Sequence, residues 1–227
     1  MIGRFTKTVV EDWKGRDCSR LDFRGTDTRS PFFGDPSLWD DDGESVDFQE
    51  VLTYIKGRRT LEGIILGGEP LRDPKLYGML KELRPVKVPV RLETNGNRPA
   101  EVDDFAGARM IDSVLVRLFA SPFSERFTEA MPGIDPRNVI DLLDMLPGLE
   151  VMTEIELIAV PGIVTGESVK EIARTLGRKT VLTIRQFNPK NAPDAGARKL
   201  EPYNRTDASA LSAAAKPFTN KAALRGF

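Results

Sequence analysis

Five runs of β character, LEGIIL, VPVRLET, SVLVRLF, VMTEIELIAV and TVLTIRQF, alternate with segments whose apolar residues recur at helical spacing. This alternation limits the fold more than any other feature of the chain. An earlier short strand is expected near Leu21–Phe23. Ahead of LEGIIL, the residues Phe48, Val51, Leu52 and Ile55 fall on one helical face. Asp73 with Pro74 and Asp135 with Pro136 place a side-chain acceptor and a first-turn proline before KLYGMLKEL and NVIDLLDML, a start signal for helices. Further helices are expected from about Pro99 and over ESVKEIARTL. Strands joined through helices of this length form right-handed βαβ units, since only that hand returns the helix onto a twisted sheet. The expected fold class is therefore α/β: about six parallel strands, open or curled into a partial (β/α)6 barrel, with the helices outside. Leu66, Thr94 and Phe187 then end their strands on one rim, where such sheets place function. Residues 1–227 read as a single domain. Its end, 186–227, is an extension made of the irregular NPKNAPDAG segment, an alanine-rich helix around Ala208–Ala215 and the apolar AALRGF, expected to pack back on the sheet.

One cysteine, Cys18, and no histidine occur among the 227 residues. An intrachain disulfide is excluded, and so are the usual zinc sites, Cys–His nucleophile pairs and Ser–His–Asp catalysis, which need an imidazole or several thiolates. A formal net charge of −1 gives no global attraction to nucleic acid or to an anionic membrane. The charged RKLEPYNRTD stretch lacks the aromatic interleaving of a nucleic-acid platform. Apolar stretches such as IELIAVPGIV are too short to span a bilayer, and MIGRFTKTVVEDWKGR has no apolar signal core, so a cytoplasmic location is expected. Asp40, Asp41, Asp42 and Glu44 lack the alternate spacing of an EF-hand loop and read as a solvated charge run.

Three segments fall at strand ends. RGTDTRSPFFGDPSLW, residues 24–39, follows the first strand. Gly67, Gly68, Glu69 and Pro70 follow GIIL, where two glycines let the backbone approach a ligand and Glu69 can accept from an ammonium group. Alone, that tetrapeptide is equally a strand-ending turn. ETNGN, Glu93–Asn97, follows the next strand.

In this order the segments resemble the radical S-adenosylmethionine proteins, and among them the activating enzymes of glycyl-radical enzymes. The resemblance runs nearly end to end, through DWKG at Asp12–Gly15, LDFRG, GDPSLW, GGEPL, ETNG, VPGIV at Val160–Val164 and IRQFNP at Ile184–Pro189. It implies a Cys-x3-Cys-x2-Cys loop holding a four-iron, four-sulfur cluster whose fourth iron binds S-adenosylmethionine. The three matching positions are Thr26, Ser30 and Phe33. Neutral hydroxyls are poor iron ligands and a phenyl ring is none. An iron–sulfur cluster is thus not expected, and no metal ligands or catalytic residues are assigned. The resemblance also implies Asp-x-Lys after the fourth strand and Glu-x-Arg on the fifth. Arg117 and Phe119 stand at the first pair; Glu154 is kept at the second, with Glu156 in place of the arginine, where its charge would repel the cofactor's carboxylate. Arg91, Arg117 and Arg185 either supply charge to a ligand, face solvent, or pair with Glu93, Glu154 or Glu156.

Two functions follow from different classes. The first is a non-catalytic protein of this fold, serving another protein as partner, scaffold or regulatory subunit. The alternative is a protein that keeps a small-molecule pocket for S-adenosylmethionine or a nucleotide, without radical chemistry, at Gly67, Gly68, Glu69, Pro70, Thr94, Asn95, Glu154 and Phe187. An active activating enzyme ranks last, because protein sulfur is insufficient. The emptied loop is expected to be held by packing of Phe32 and Phe33, with Thr26, Asp27 and Ser30 bonding nearby amides.

Overall fold

The Asp-Pro pairs mark helix starts in two different ways. Asp135 accepts from the Arg137 backbone N–H and Pro136 opens the helix Pro136–Met145. Asp73 instead accepts from the Lys75 N–H at 2.9 Å, making a turn just ahead of the helix Leu76–Leu83. Both are drawn from a computed structural model that describes every residue except Lys14, Arg178 and Asn220, so the Lys14 position of DWKG lies outside the described residues.

Eight strands form one sheet in chain order: β1 Ile2–Val9, β2 Cys18–Phe23, β3 Gly63–Gly67, β4 Val90–Thr94, β5 Ser113–Leu118, β6 Met152–Ala159, β7 Val181–Gln186 and β8 Ala222–Arg225. β2 through β8 are parallel, and β1 pairs antiparallel with β2. The connecting helices are α1 Phe48–Gly57, α2 Leu76–Leu83, α3 Pro99–Gly107, α4 Phe127–Ala130, α5 Pro136–Met145, α6 Gly166–Thr175 and α7 Arg205–Ala215. The fold is thus the expected α/β arrangement of parallel strands, open at the β1 and β8 edges. Two strands exceed the six expected. β1 gives a weak signal because it is an edge strand whose residues are mostly part-exposed, while β8 has only four residues. In the tail, α7 lies against α6 and β8 pairs with β7. No described helix is long and apolar enough to cross a membrane.

The strand pleat sorts side chains by chemistry. Leu21, Phe23, Ile64, Leu66, Leu92, Val114, Val116, Ile155 and Leu157 join Val51, Leu52, Ile55, Leu80, Val102, Val139, Leu142 and Ile172 of the helices in one buried apolar cluster. Arg20, Asp22, Arg91, Glu93, Arg117, Glu154, Glu156 and Arg185 alternate with those strand residues and face the other way. At the N-terminal ends of the strands, Trp13 forms a small apolar cluster with Cys18 and Ile65. Its ring lies 4.7 Å from the Arg16 guanidinium and 4.8 Å from that of Arg91, which gives the tryptophan of DWKG a structural role. Cys18 is fully buried there, and burial pushes its thiol up to about 11.

Candidate functional site

The charged residues on the face away from the helices close into a ring. Arg20 reaches Asp12 at 3.3 Å, Asp22 at 2.8 Å and Glu93 at 2.8 Å. Arg117 links Glu93 at 3.2 Å to Glu156 at 2.7 Å. Glu156 also takes Arg185 at 3.2 Å and Arg225 at 3.5 Å, and Arg225 returns to Asp12 at 4.0 Å. Arg225 further donates to the Glu11 carbonyl, so contacts between β8 and the β1–β2 turn span the open seam. Burial raises the Glu93 carboxyl, but Arg117 and Arg20 outweigh it and hold the group at about 2. Arg117 and Arg185 likewise overcome burial at Glu156 and lower it. Glu156, read from the sequence as a charge that would repel a cofactor's carboxylate, is fully buried and ion-paired with three arginines. Arg91 and Glu154 pair separately at 2.8 Å, with the Thr183 hydroxyl donating to Glu154 at 2.6 Å.

Above the ring, at the C-terminal strand ends, the loop after β2 is ordered. The Thr26 hydroxyl donates to the Thr28 carbonyl at 2.9 Å and accepts from the Thr28 N–H at 3.2 Å. Ser30 is buried and accepts from the Phe32 N–H at 3.2 Å. Phe32 is buried edge-on to Phe187, with centroids 6.3 Å apart. Phe33 stacks on Phe119 at 5.6 Å, with the Arg117 guanidinium 5.2 Å from its centroid. The expectation of packing and local hydrogen bonds holds for these residues. Asp27 differs. Its carboxylate reaches across to Arg72 at 3.1 Å and Arg98 at 3.5 Å, tying the loop to the segments after β3 and β4, a long-range role that local turn chemistry does not reveal.

Glu69 adopts a left-handed backbone, φ 62° and ψ 63°, which is uncommon outside glycine and asparagine. The turn directs its carboxylate to β4, where Oε1 accepts from the Thr94 hydroxyl at 2.7 Å and Oε2 from the Asn95 N–H at 2.6 Å. The preceding glycines are needed by the protein itself. A Cβ on Gly67 would lie 2.2 Å from Arg20 Nη2, and one on Gly68, at φ +75°, would lie 2.3 Å from the Phe23 carbonyl. Burial pushes the Glu69 carboxyl up to about 7 from 4.5, against the bonds from Asn95 and Thr94 that favour its charged form. The folded chain therefore holds this proton more tightly than the unfolded chain, and stability falls as pH rises from about 4.5 to about 7 through this group. Comparing Glu69→Gln with the parent in pH-resolved urea unfolding should remove a slope that integrates to about 3 kcal/mol across that window. An unchanged difference between the two proteins at pH 5 and pH 8 would contradict it.

These elements enclose a cavity of about 670 Å³ whose wall includes Gly68, Glu69, Thr94 and Asn95, a size suited to small ligands. Of the other candidate residues, Gly67 sits under Arg20, Pro70 is buried after Glu69, and Phe187 is buried against Phe32. Glu154 lies apart, on the wall of a second cavity with Arg91 and Ser113. Among the residues that sequence reasoning did not assign to a site, Trp39, Lys190 and Arg198 also line the first cavity. Lys190 and Arg198 lie in single 3-10 turns and Trp39 caps another, elements too short for spacing to carry information.

No family model matches the chain. A protein of Methanocaldococcus jannaschii named as a glycyl-radical enzyme activating enzyme is 25% identical over 166 residues, which cover 71% of this chain and 69% of that protein. The structure of Streptococcus suis SuiB aligns with a TM-score of 0.66 at 17% identity, over 91% of this chain and 50% of SuiB. SuiB bound to its precursor peptide SuiA gives 0.70 at 16% identity, over 91% and 48%. Escherichia coli coproporphyrinogen III oxidase, described as a radical SAM enzyme, gives 0.50 at 16% identity, over 72% and 43%. The fold is radical-SAM-like. The chain spans about half the length of SuiB. Within this radical-SAM-like frame, the residues present do not fit an iron–sulfur cluster. At its three positions Thr26 and Ser30 use their hydroxyls on the loop backbone, Phe33 offers a stacked ring, and the sole thiol, Cys18, begins β2 at the opposite end of the sheet.

Proposed function

We propose that this chain is a radical-SAM-like protein that carries out no radical chemistry and serves in the cytoplasm as a binding partner or regulatory subunit of another protein. The carrying observation is the rebuilt loop, in which Phe33, at the third cluster position, stacks on Phe119 with the Arg117 guanidinium 5.2 Å from its centroid. Reductive cleavage of S-adenosylmethionine needs an electron delivered through the cluster, and this loop has no ligands for one. Similarity to a protein named for activation of another enzyme supports a protein partner, as does the capture of SuiB with a bound peptide. The test is affinity purification from the native host, followed by mass spectrometry and size-exclusion chromatography. A stoichiometric protein partner that is lost or weakened at least tenfold in Phe33→Ala is expected, with no 5′-deoxyadenosine formed from S-adenosylmethionine under dithionite. A protein that purifies alone and forms 5′-deoxyadenosine would overturn the proposal.

A second reading, binding of a small molecule without radical chemistry, is favoured by the cavity. Three buried polar atoms on residues of its wall, Thr28 Oγ1, Glu93 Oε1 and Asn95 Nδ2, have no hydrogen-bond partner among the described residues. Leaving such atoms unmet costs about 1–3 kcal/mol each, which a ligand or ordered water would relieve.

A further inference from the structure

We propose that the cavity takes a nucleotide, with its phosphate held at the rim by Lys190 and Arg198; this rests on the second reading above and names the ligand class. Most cations on the cavity wall already have carboxylate partners: Arg4 pairs with Asp35, and Arg20, Arg117 and Arg185 belong to the ring. Lys190 and Arg198 form no ion pair among the described residues. Arg198 donates to the Ala192 carbonyl at 2.8 Å and to the Pro193 carbonyl at 3.1 Å. These bonds hold the guanidinium against the segment that carries Lys190, and both cations line the cavity. The rim therefore has two uncompensated positive charges, a match for a dianionic phosphate monoester.

The wall below specifies more than an anion. Asn95 is only 8% exposed and its Nδ2 is an unpartnered donor; Glu93 is 3% exposed and its Oε1 is an unpartnered acceptor. A ligand that reaches these two atoms has to bring both an acceptor and a donor, as a base edge and sugar hydroxyls do. Phe33 and Trp39 add aromatic surface to the same wall, on which a flat base can stack. Phosphate, hydroxyls and a planar ring together describe a nucleotide.

The chain has two tryptophans. Trp13 is buried at the N-terminal strand ends, so a ligand-induced change in fluorescence reports Trp39. Titrating the full chain with AMP should alter that emission saturably, with adenosine at least tenfold weaker. Lys190→Ala, an exposed position whose side chain makes no hydrogen bond among the described residues, should weaken AMP at least tenfold and leave adenosine unchanged; Arg198→Lys, which conserves the charge, should largely keep AMP binding. Equal binding of AMP and adenosine, or full AMP affinity in Lys190→Ala, would overturn the rim assignment. Saturable binding of S-adenosylmethionine with none of AMP would overturn the nucleotide while sparing the small-molecule reading. Silence toward all three would end both.

Discussion

Glu156→Gln is expected to lower the melting temperature by on the order of 10 °C, the largest effect of any single substitution in the ion-pair ring. The side chain is fully buried and meets Arg117, Arg185 and Arg225. Removing its charge leaves Arg185 without a carboxylate partner among the described residues and leaves Arg117 and Arg225 with one each, Glu93 and Asp12, on a largely desolvated face. Breaking a buried pair from one side costs about 3–5 kcal/mol, and in a domain of this size each kcal/mol moves the midpoint by about 2–4 °C. Calorimetry at pH 7 measures the shift directly. Acid unfolding gives an independent check through Glu93. Its folded carboxyl lies at about 2 against an ordinary 4.5, so its stabilising contribution is present above about 4.5 and is lost as pH falls toward 2. A Glu156→Gln protein that melts with the parent would show that the ring adds nothing to stability.

Phe32→Ala should cost about 3–5 kcal/mol, the usual range for deleting a buried aromatic ring. Phe32 is only 7% exposed and packs edge-on to Phe187 at the end of β7. Each loop residue ordered in the native state loses about 1–2 kcal/mol of backbone entropy, and burial of this ring offsets part of that cost. Urea unfolding gives the free energy, and hydrogen exchange over 26–34 gives its location, with the loop amides exchanging faster than in the parent. Phe33→Ala is expected to cost less, because its ring is half-buried and the stacked pair contributes about 0.5–1.5 kcal/mol beyond area. Equal stability of Phe32→Ala and the parent would remove the argument that packing now holds the loop.

The physical signals in the chain explain which features were legible. Apolar runs such as GIIL and VLV mark strands buried by helices, and those segments became β3 and β5. β1 was hidden because an edge strand paired on one side mixes Arg4, Thr6 and Lys7 among few apolar residues. The ring was half legible. Arg20 and Asp22, Arg91 and Glu93, and Glu154 and Glu156 stand two apart within strands, the pleat's signature of one shared face. Pairing of Arg91, Arg117 and Arg185 with Glu93, Glu154 or Glu156 was one of the alternatives the sequence left open, whereas the closure through Arg225 and Asp12 depends on how the sheet curls. At the candidate site, Glu69, Thr94 and Asn95 came together because GGEP and ETNG end neighbouring parallel strands. The tie from Asp27 to Arg72 and Arg98 joins residues 45 and 71 positions apart, read from their numbers, and nothing local in the sequence encodes it.

Anaerobic reconstitution with iron and sulfide tests the central claim most directly, namely that the loop after β2 has been rebuilt without a cluster. Iron, acid-labile sulfide and visible absorption are measured after desalting, on the parent and on Cys18→Ala. The expected result is substoichiometric iron, no charge-transfer band and no difference between the two proteins, since Cys18 is buried at the far end of the strand with its thiol near 11. Four irons per chain with a matching band, lost in Cys18→Ala, would contradict the account.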